Sequence, residues 1–142
     1  MKIKERLPML LVLAVVLVGG VLVGSKLIGS SSDAMVDVEV PDLSEKAEKG
    51  QIAFDSHCAA CHGGNAAGSK KGPPLIHKIY NPGHHGDNSF VIAARQGVRQ
   101  HHWRFGNMPA LPQVSHADLI GIITYIRELQ TANGIRYEPH RM

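Results

Sequence analysis

Leu7 to Val23 carries no charged or polar side chain, and with Gly24 and Ser25 the run reaches nineteen residues. A membrane-spanning helix needs about 20 apolar residues, the core of a secretory signal only about 7 to 15. The pattern predicts an N-terminal membrane anchor over residues 1–28. Pro8 stands in its first turn, where a missing N–H costs little, and Lys26 can carry its ammonium to the far interface. Lys2, Lys4 and Arg6 precede the run, so the positive-inside rule holds the N-terminus in the cytoplasm and exports the rest of the chain. A cleaved signal peptide is the competing reading, with Ser32-Asp33-Ala34 as a small-x-small site. That site stands far from the end of the apolar run, which favours the retained anchor.

Downstream the periodicity changes. Residues 29–43, GSSSDAMVDVEVPDL, are small, acidic or extended-type and predict a flexible linker, spanning at most about 50 Å. Ala47, Gly50, Phe54 and Cys58 then fall at helical spacing, with Asp42 and Glu45 as a capping box ahead of them. Asp87-Asn88 followed by Phe90, Val91, Ala94 and Gly97 reads as a short helix. A second capping box, Ser115-x-x-Asp118, opens a helix with apolar positions 119, 122, 123, 126 and 129 on one face, and Asn133-Gly134 supplies its stop. Gly50 would let another backbone come close, with Ile122 and Tyr125 as its expected neighbours. Nothing reads as β-α-β, and the folded domain is expected over residues 44–134 with a tail over 135–142.

Composition changes this picture in two ways. The formal net charge of +3 is concentrated at the N-terminus, and from Ala34 onward it is only +1. No basic stripe with interleaved aromatics is present, so nucleic acid is excluded as a partner. Three Phe, three Tyr and one Trp are few for such a domain. Large aromatic side chains supply much of a small core's apolar area, and their scarcity points to an apolar group that is not protein.

The two cysteines of the chain both lie in CAACH, Cys58 to His62. None is left for a lipid anchor. A thioredoxin-like dithiol would sit in a β-α-β context, and a zinc site would need a second ligand pair. C-x-x-C-H instead reads as covalent haem attachment: the thiols of Cys58 and Cys61 add to the vinyl groups, and His62 becomes the proximal iron ligand.

With Gly50, Phe54, CAACH, Gly72-Pro73-Pro74-Leu75, Met108-Pro109 and the helix ending IITYIREL, the chain resembles a membrane-anchored, monohaem bacterial class I c-type cytochrome over roughly residues 44 to 130. The resemblance implies a small all-α cytochrome c fold around one haem c, with its first and last helices crossing near Gly50. It also implies that the Pro73 carbonyl orients His62 from its other ring nitrogen, and that Leu75 and Pro109 belong to the pocket. Met108 is where the family carries its second axial ligand. Of the five methionines, Met1, Met9, Met35 and Met142 lie outside the folded domain. His101 or His102 is the alternative sixth ligand.

Trp103, Arg104 and Tyr80 are candidates for hydrogen bonds to the haem propionates. The pairs His84-His85 and His101-His102, with His77, are a candidate secondary copper or zinc site, since imidazole suits both metals. Lys70, Lys71 and Lys78 form a candidate positive rim for acidic partners. No set of acid, base and nucleophile converges elsewhere, and no small-molecule substrate or enzymatic activity is expected. The reading is an electron carrier anchored by a single pass in the bacterial inner membrane, its haem domain in the periplasm. It would take electrons from a bc1-type donor and pass them to a terminal oxidase. The alternatives are a dedicated cytochrome subunit of a membrane oxidoreductase, copper-related given the histidines, and a haem or metal sensor.

Overall fold

The computed structural model describes residues 35–139. Among them lie four α-helices: α1 (Glu45–His57), α2 (Ala59–His62), α3 (Asp87–Gln96) and α4 (His116–Ala132). Two 3-10 turns, Gly64–Ala66 and Lys78–Tyr80, link them. No strand forms among the described residues, and one isolated antiparallel bridge pairs Val98 with Met108. The expected anchor over residues 1–28 lies outside the described residues, among which no helix is long and apolar enough to cross a membrane.

The architecture rests on α1 crossing α4. A Cβ on Gly50 would stand 2.0 Å from the Gly121 carbonyl oxygen, so the two backbones touch. Of the expected neighbours of Gly50, Ile122 is there, its nitrogen 2.9 Å from such a Cβ, but the closest contact is made by Gly121, a position with no side chain to register in an apolar stripe. Tyr125 packs instead on Phe54, with ring centroids 5.6 Å apart. Phe54, Val114, Tyr125, Ile126 and Leu129 are fully buried and form the centre of the core.

Helix α4 starts and stops where its sequence signals stand. Ser115 Oγ accepts from the Asp118 N–H at 3.0 Å and donates to its carboxylate at 2.7 Å. Asn133 caps the other end, and Gly134 follows at φ +75°. For α1 the expected cap at Asp42 is corrected to Ser44, whose Oγ accepts from the Ala47 N–H. Ser44 is held there because its own N–H and hydroxyl both donate to the Glu128 carboxylate on α4, at 3.0 and 2.6 Å. A tertiary contact chose between two competent cap residues.

The expected flexible linker is corrected for its described part. Val36, Val38 and Leu43 pack against the core, and Glu39 exchanges two hydrogen bonds with the Asn133 side chain at 2.9 and 2.8 Å. The run Val36-Asp37-Val38-Glu39 alternates apolar with acidic, so one side of an extended chain has an apolar face to bury. The C-terminal segment also returns to the domain: Ile135 packs on the core, and the Glu138 N–H reaches Asn81 Oδ1 at 3.4 Å.

A polar hub on α4 joins the layers. Gln130 is only 1% exposed; its amide donates to the Leu75 carbonyl at 2.9 Å and to the Tyr80 carbonyl at 3.2 Å. Arg127 donates to Gln130 Oε1, to the Tyr80 and His85 carbonyls, and to Asp87 at the start of α3. Replacing Gln130 by leucine would leave the Leu75 carbonyl without this donor, while Tyr80 would keep Arg127. A stranded buried acceptor costs about 1–3 kcal/mol, and that loss is expected in urea unfolding of the haem-loaded Gln130→Leu protein. An unchanged midpoint would show that Leu75 does not depend on Gln130.

Candidate haem site

Helices α1, α2, α3 and α4 and the chain around 97–111 enclose a cavity of about 620 Å³, within the roughly 300–1,000 Å³ usual for cofactor sites. Cys58, Cys61, His62 and Met108 all line it. So do Leu75, Tyr80, Trp103 and Pro109. Arg104 is exposed and does not line the cavity, so the structure does not bring it to the site with Trp103.

Cys58 lies at the break between α1 and α2, its N–H still bonded to the Phe54 carbonyl at 2.7 Å. The Cys58 carbonyl then accepts from the His62 N–H at 2.9 Å, and this turn carries the thiols and the imidazole to one wall. Burial, and after it the neighbouring Cys61, push the Cys58 thiol up to about 11. Reactive C-x-x-C pairs have thiols depressed to roughly 3.5–7.5, so the local electrostatics oppose a dithiol oxidoreductase.

His62 donates from Nδ1 to the Pro73 carbonyl at 2.9 Å. A carbonyl only accepts, so the proton belongs on Nδ1 and the Nε2 lone pair is left available. Burial holds this imidazole below its ordinary range, with the Pro73 bond pulling weakly the other way. It is therefore neutral at pH 7, the form that can ligate a metal.

The backbone of Met108 is set by pairing. Its N–H and carbonyl bond Val98 in both directions at 2.9 Å. Gly97 makes this possible: its φ is +76°, and a Cβ there would stand 2.6 Å from the Met108 carbonyl oxygen. Residues 99–107 form a closed excursion between the bridged ends. The Gln100 N–H donates to Asn107 Oδ1 at 3.0 Å, and the Gly106 N–H to Gln100 Oε1 at 3.1 Å.

That excursion carries His101, His102 and Trp103 to the cavity. The Trp103 indole N–H is buried and makes no hydrogen bond. It stands near enough to Tyr80 to favour the phenolate slightly, yet burial dominates and pushes the Tyr80 phenol up to about 12. Trp103 and Tyr80 thus bring two proton donors side by side to the cavity wall. His77 packs edge-on against Trp103 at 5.1 Å, and its Nδ1 accepts from the Ile79 N–H at 3.3 Å. Lys70, Lys71 and Lys78 are exposed and do not line the cavity.

The histidine pairs meet across the cavity rim. His84 Nε2 and His102 Nε2 are 3.3 Å apart, and His85 donates from Nδ1 to the Ile79 carbonyl at 2.7 Å. His101 likewise turns its Nδ1 to the Arg99 carbonyl at 2.9 Å. Burial lowers His85 and His102, and the neighbouring histidines add to the effect.

Sequence reasoning missed Gly121, Arg127 and Gln130 as residues that shape the site. A glycine on each of two long helices was the available signal for the first. An arginine and a glutamine on the edge of an apolar stripe carry no comparable mark.

A haem fits these residues: two thiols beside a neutral imidazole, a thioether in the same apolar cavity, and a buried indole N–H in need of an acceptor. A family model described as cytochrome c matches residues 47–130. Comparison with curated proteins and with solved structures gave no match. The matched span, well over half the chain, starts in α1, ends at Gln130 and takes in every wall of the cavity; the chain belongs to the cytochrome c family, haem-based electron carriers that bind haem c covalently.

Proposed function

We propose that this protein is a membrane-tethered, single-haem electron carrier, with Cys58 and Cys61 as its attachment thiols and His62 and Met108 as its axial ligands. The observation that carries the reading is the His62 imidazole, its proton committed to Pro73, sharing one cavity with a thioether whose backbone is locked by a two-way bridge. When bound, haem supplies a one-electron couple between ferric and ferrous iron. Pro73 orients the proximal imidazole and strengthens it as a donor. Met108, a neutral and soft ligand, would favour the reduced state and raise the potential. Trp103 and Tyr80 would donate to the propionates, and the apolar walls keep water from the iron.

The anchor, the periplasmic location and a donor–acceptor pair such as a bc1-type complex and a terminal oxidase are part of the same proposal. They rest on the apolar run Leu7 to Val23 and the basic residues before it. Tethering would replace three-dimensional search by a high effective concentration beside membrane partners.

The axial assignment has a direct test in carbon monoxide uptake by the ferrous protein. With both axial positions filled, the haem-loaded wild type is expected to bind it negligibly at neutral pH, and Met108→Ala to bind it readily. Ready uptake by the wild type, or no gain in the variant, would remove Met108 as the ligand.

A further inference from the structure

We propose that His84, His85 and His102 form a second metal site, for a divalent ion of the copper–zinc class, at the rim of the haem cavity. Nothing in the proposed axial pair uses these residues. Each offers one ring nitrogen, and the three nitrogens lie within 4.8 Å of one another.

His84 and His102 already have the spacing that a metal imposes. Zinc–nitrogen bonds of about 2.0–2.1 Å at a tetrahedral angle place two nitrogens about 3.3–3.4 Å apart. His84 Nε2 and His102 Nε2 are separated by 3.3 Å. The third nitrogen needs to close by at most about 1.4 Å to complete the same figure. Small rotations of the His84 and His102 side chains toward the fixed ring of His85 cover that distance.

Backbone geometry explains why neighbours in sequence point one way. His84 and His85 are not on a helix but in a turn built by Asn81. Its carbonyl accepts from both histidine N–H groups, at 3.0 and 2.8 Å, and its side chain accepts from Gly83 at 2.8 Å. The turn is anchored to α4, since Arg127 donates to the His85 carbonyl and is itself paired with Asp87 at 2.9 Å. The second pair comes from the excursion 99–107, which faces this turn across the rim.

The surroundings complete the ligand chemistry. His85 commits its Nδ1 proton to the Ile79 carbonyl, which leaves Nε2 as the ligating atom and fixes the ring. A carbonyl behind a ligating histidine is the usual support of such sites. His102 is exposed and His84 and His85 are half-buried, so ions can enter and a fourth position faces solvent. Three imidazoles with an open fourth place suit zinc and copper, and copper is held more tightly by a given nitrogen site. His77, committed to Trp103 and Ile79, is not part of the set, and His101 stands beside it.

The haem-loaded full chain, stripped with chelator and titrated with Zn²⁺ in a calorimeter, is expected to take one ion per chain at this site. His84→Gln and His102→Gln should each weaken binding at least tenfold, and His116→Gln, on the first turn of α4, should leave it unchanged. Cu²⁺ added to the wild-type ferric protein should give an electron paramagnetic resonance spectrum with nitrogen couplings from imidazoles; this arm needs no variant. No binding of Zn²⁺, equal affinity in all three variants, or a cupric spectrum without nitrogen couplings would each overturn the site.

Discussion

Gly50→Ala is expected to destabilise the fold severely, because the added methyl meets backbone and cannot be turned aside. Its Cβ would stand 2.0 Å from the Gly121 carbonyl oxygen and 2.9 Å from the Ile122 nitrogen. Alanine does gain about 1 kcal/mol over glycine as a helix former. Against that, the helices must part by more than an ångström along their main interface, and overpacking of this severity lies at or beyond the roughly 1–3 kcal/mol usual for inserted atoms. The clash wins. A loss of more than about 3 kcal/mol would lower the melting temperature by at least about 12 °C in a domain of this size. Gly64→Ala is the matched control, since nothing lies within 4 Å of its added methyl. Equal melting temperatures for Gly50→Ala and Gly64→Ala would refute the crossing as the fold's main constraint.

The second large effect concerns the haem itself. The protein carrying Cys58→Ala and Cys61→Ala together, recovered free of haem, is expected to lack the native fold. Core cavities cost about 24 cal/mol per Å³, and for a space of about 620 Å³ that amounts to ~15 kcal/mol. The true figure is smaller, because the mouth is open to water. Even a fraction of it is comparable with the roughly 5–15 kcal/mol that holds an ordinary domain together. The walls must therefore collapse or open once nothing fills them. Circular dichroism and a thermal melt of the haem-free double variant test this; native helicity with a cooperative melt near that of the loaded protein would show that the residues alone support the cavity.

The parts legible in the sequence are those with a local signature. Ser115 and Asp118 mark the start of α4 because a cap is a short-range hydrogen bond between nearby positions. CAACH can be read because thiol and imidazole chemistry restricts its spacing, whereas Pro73 is reached only through the family resemblance. Gly121, Ser44 and Gln130 escape for one reason: each is selected by a partner far along the chain, at Gly50, Glu128 and Leu75 respectively. Residues 36–43 read as a free linker because acidic side chains and a proline break up the apolar ones, while the alternation beneath those charges packs the segment. Arg104 differs in the opposite sense. Its neighbour Trp103 turns to the cavity, and adjacent residues of an excursion need not share a direction.

The bridge between Val98 and Met108 brings the two ends of residues 99–107 side by side. The excursion is thus topologically a pendant module whose stem is closed by two backbone hydrogen bonds. Sequence drift, insertion or wholesale exchange within that module can rewrite what faces the rim without altering where Met108 stands. The placing of Met108 and the contribution of His102 to the proposed second site are therefore separable traits, while Trp103 ties the same excursion to the haem cavity.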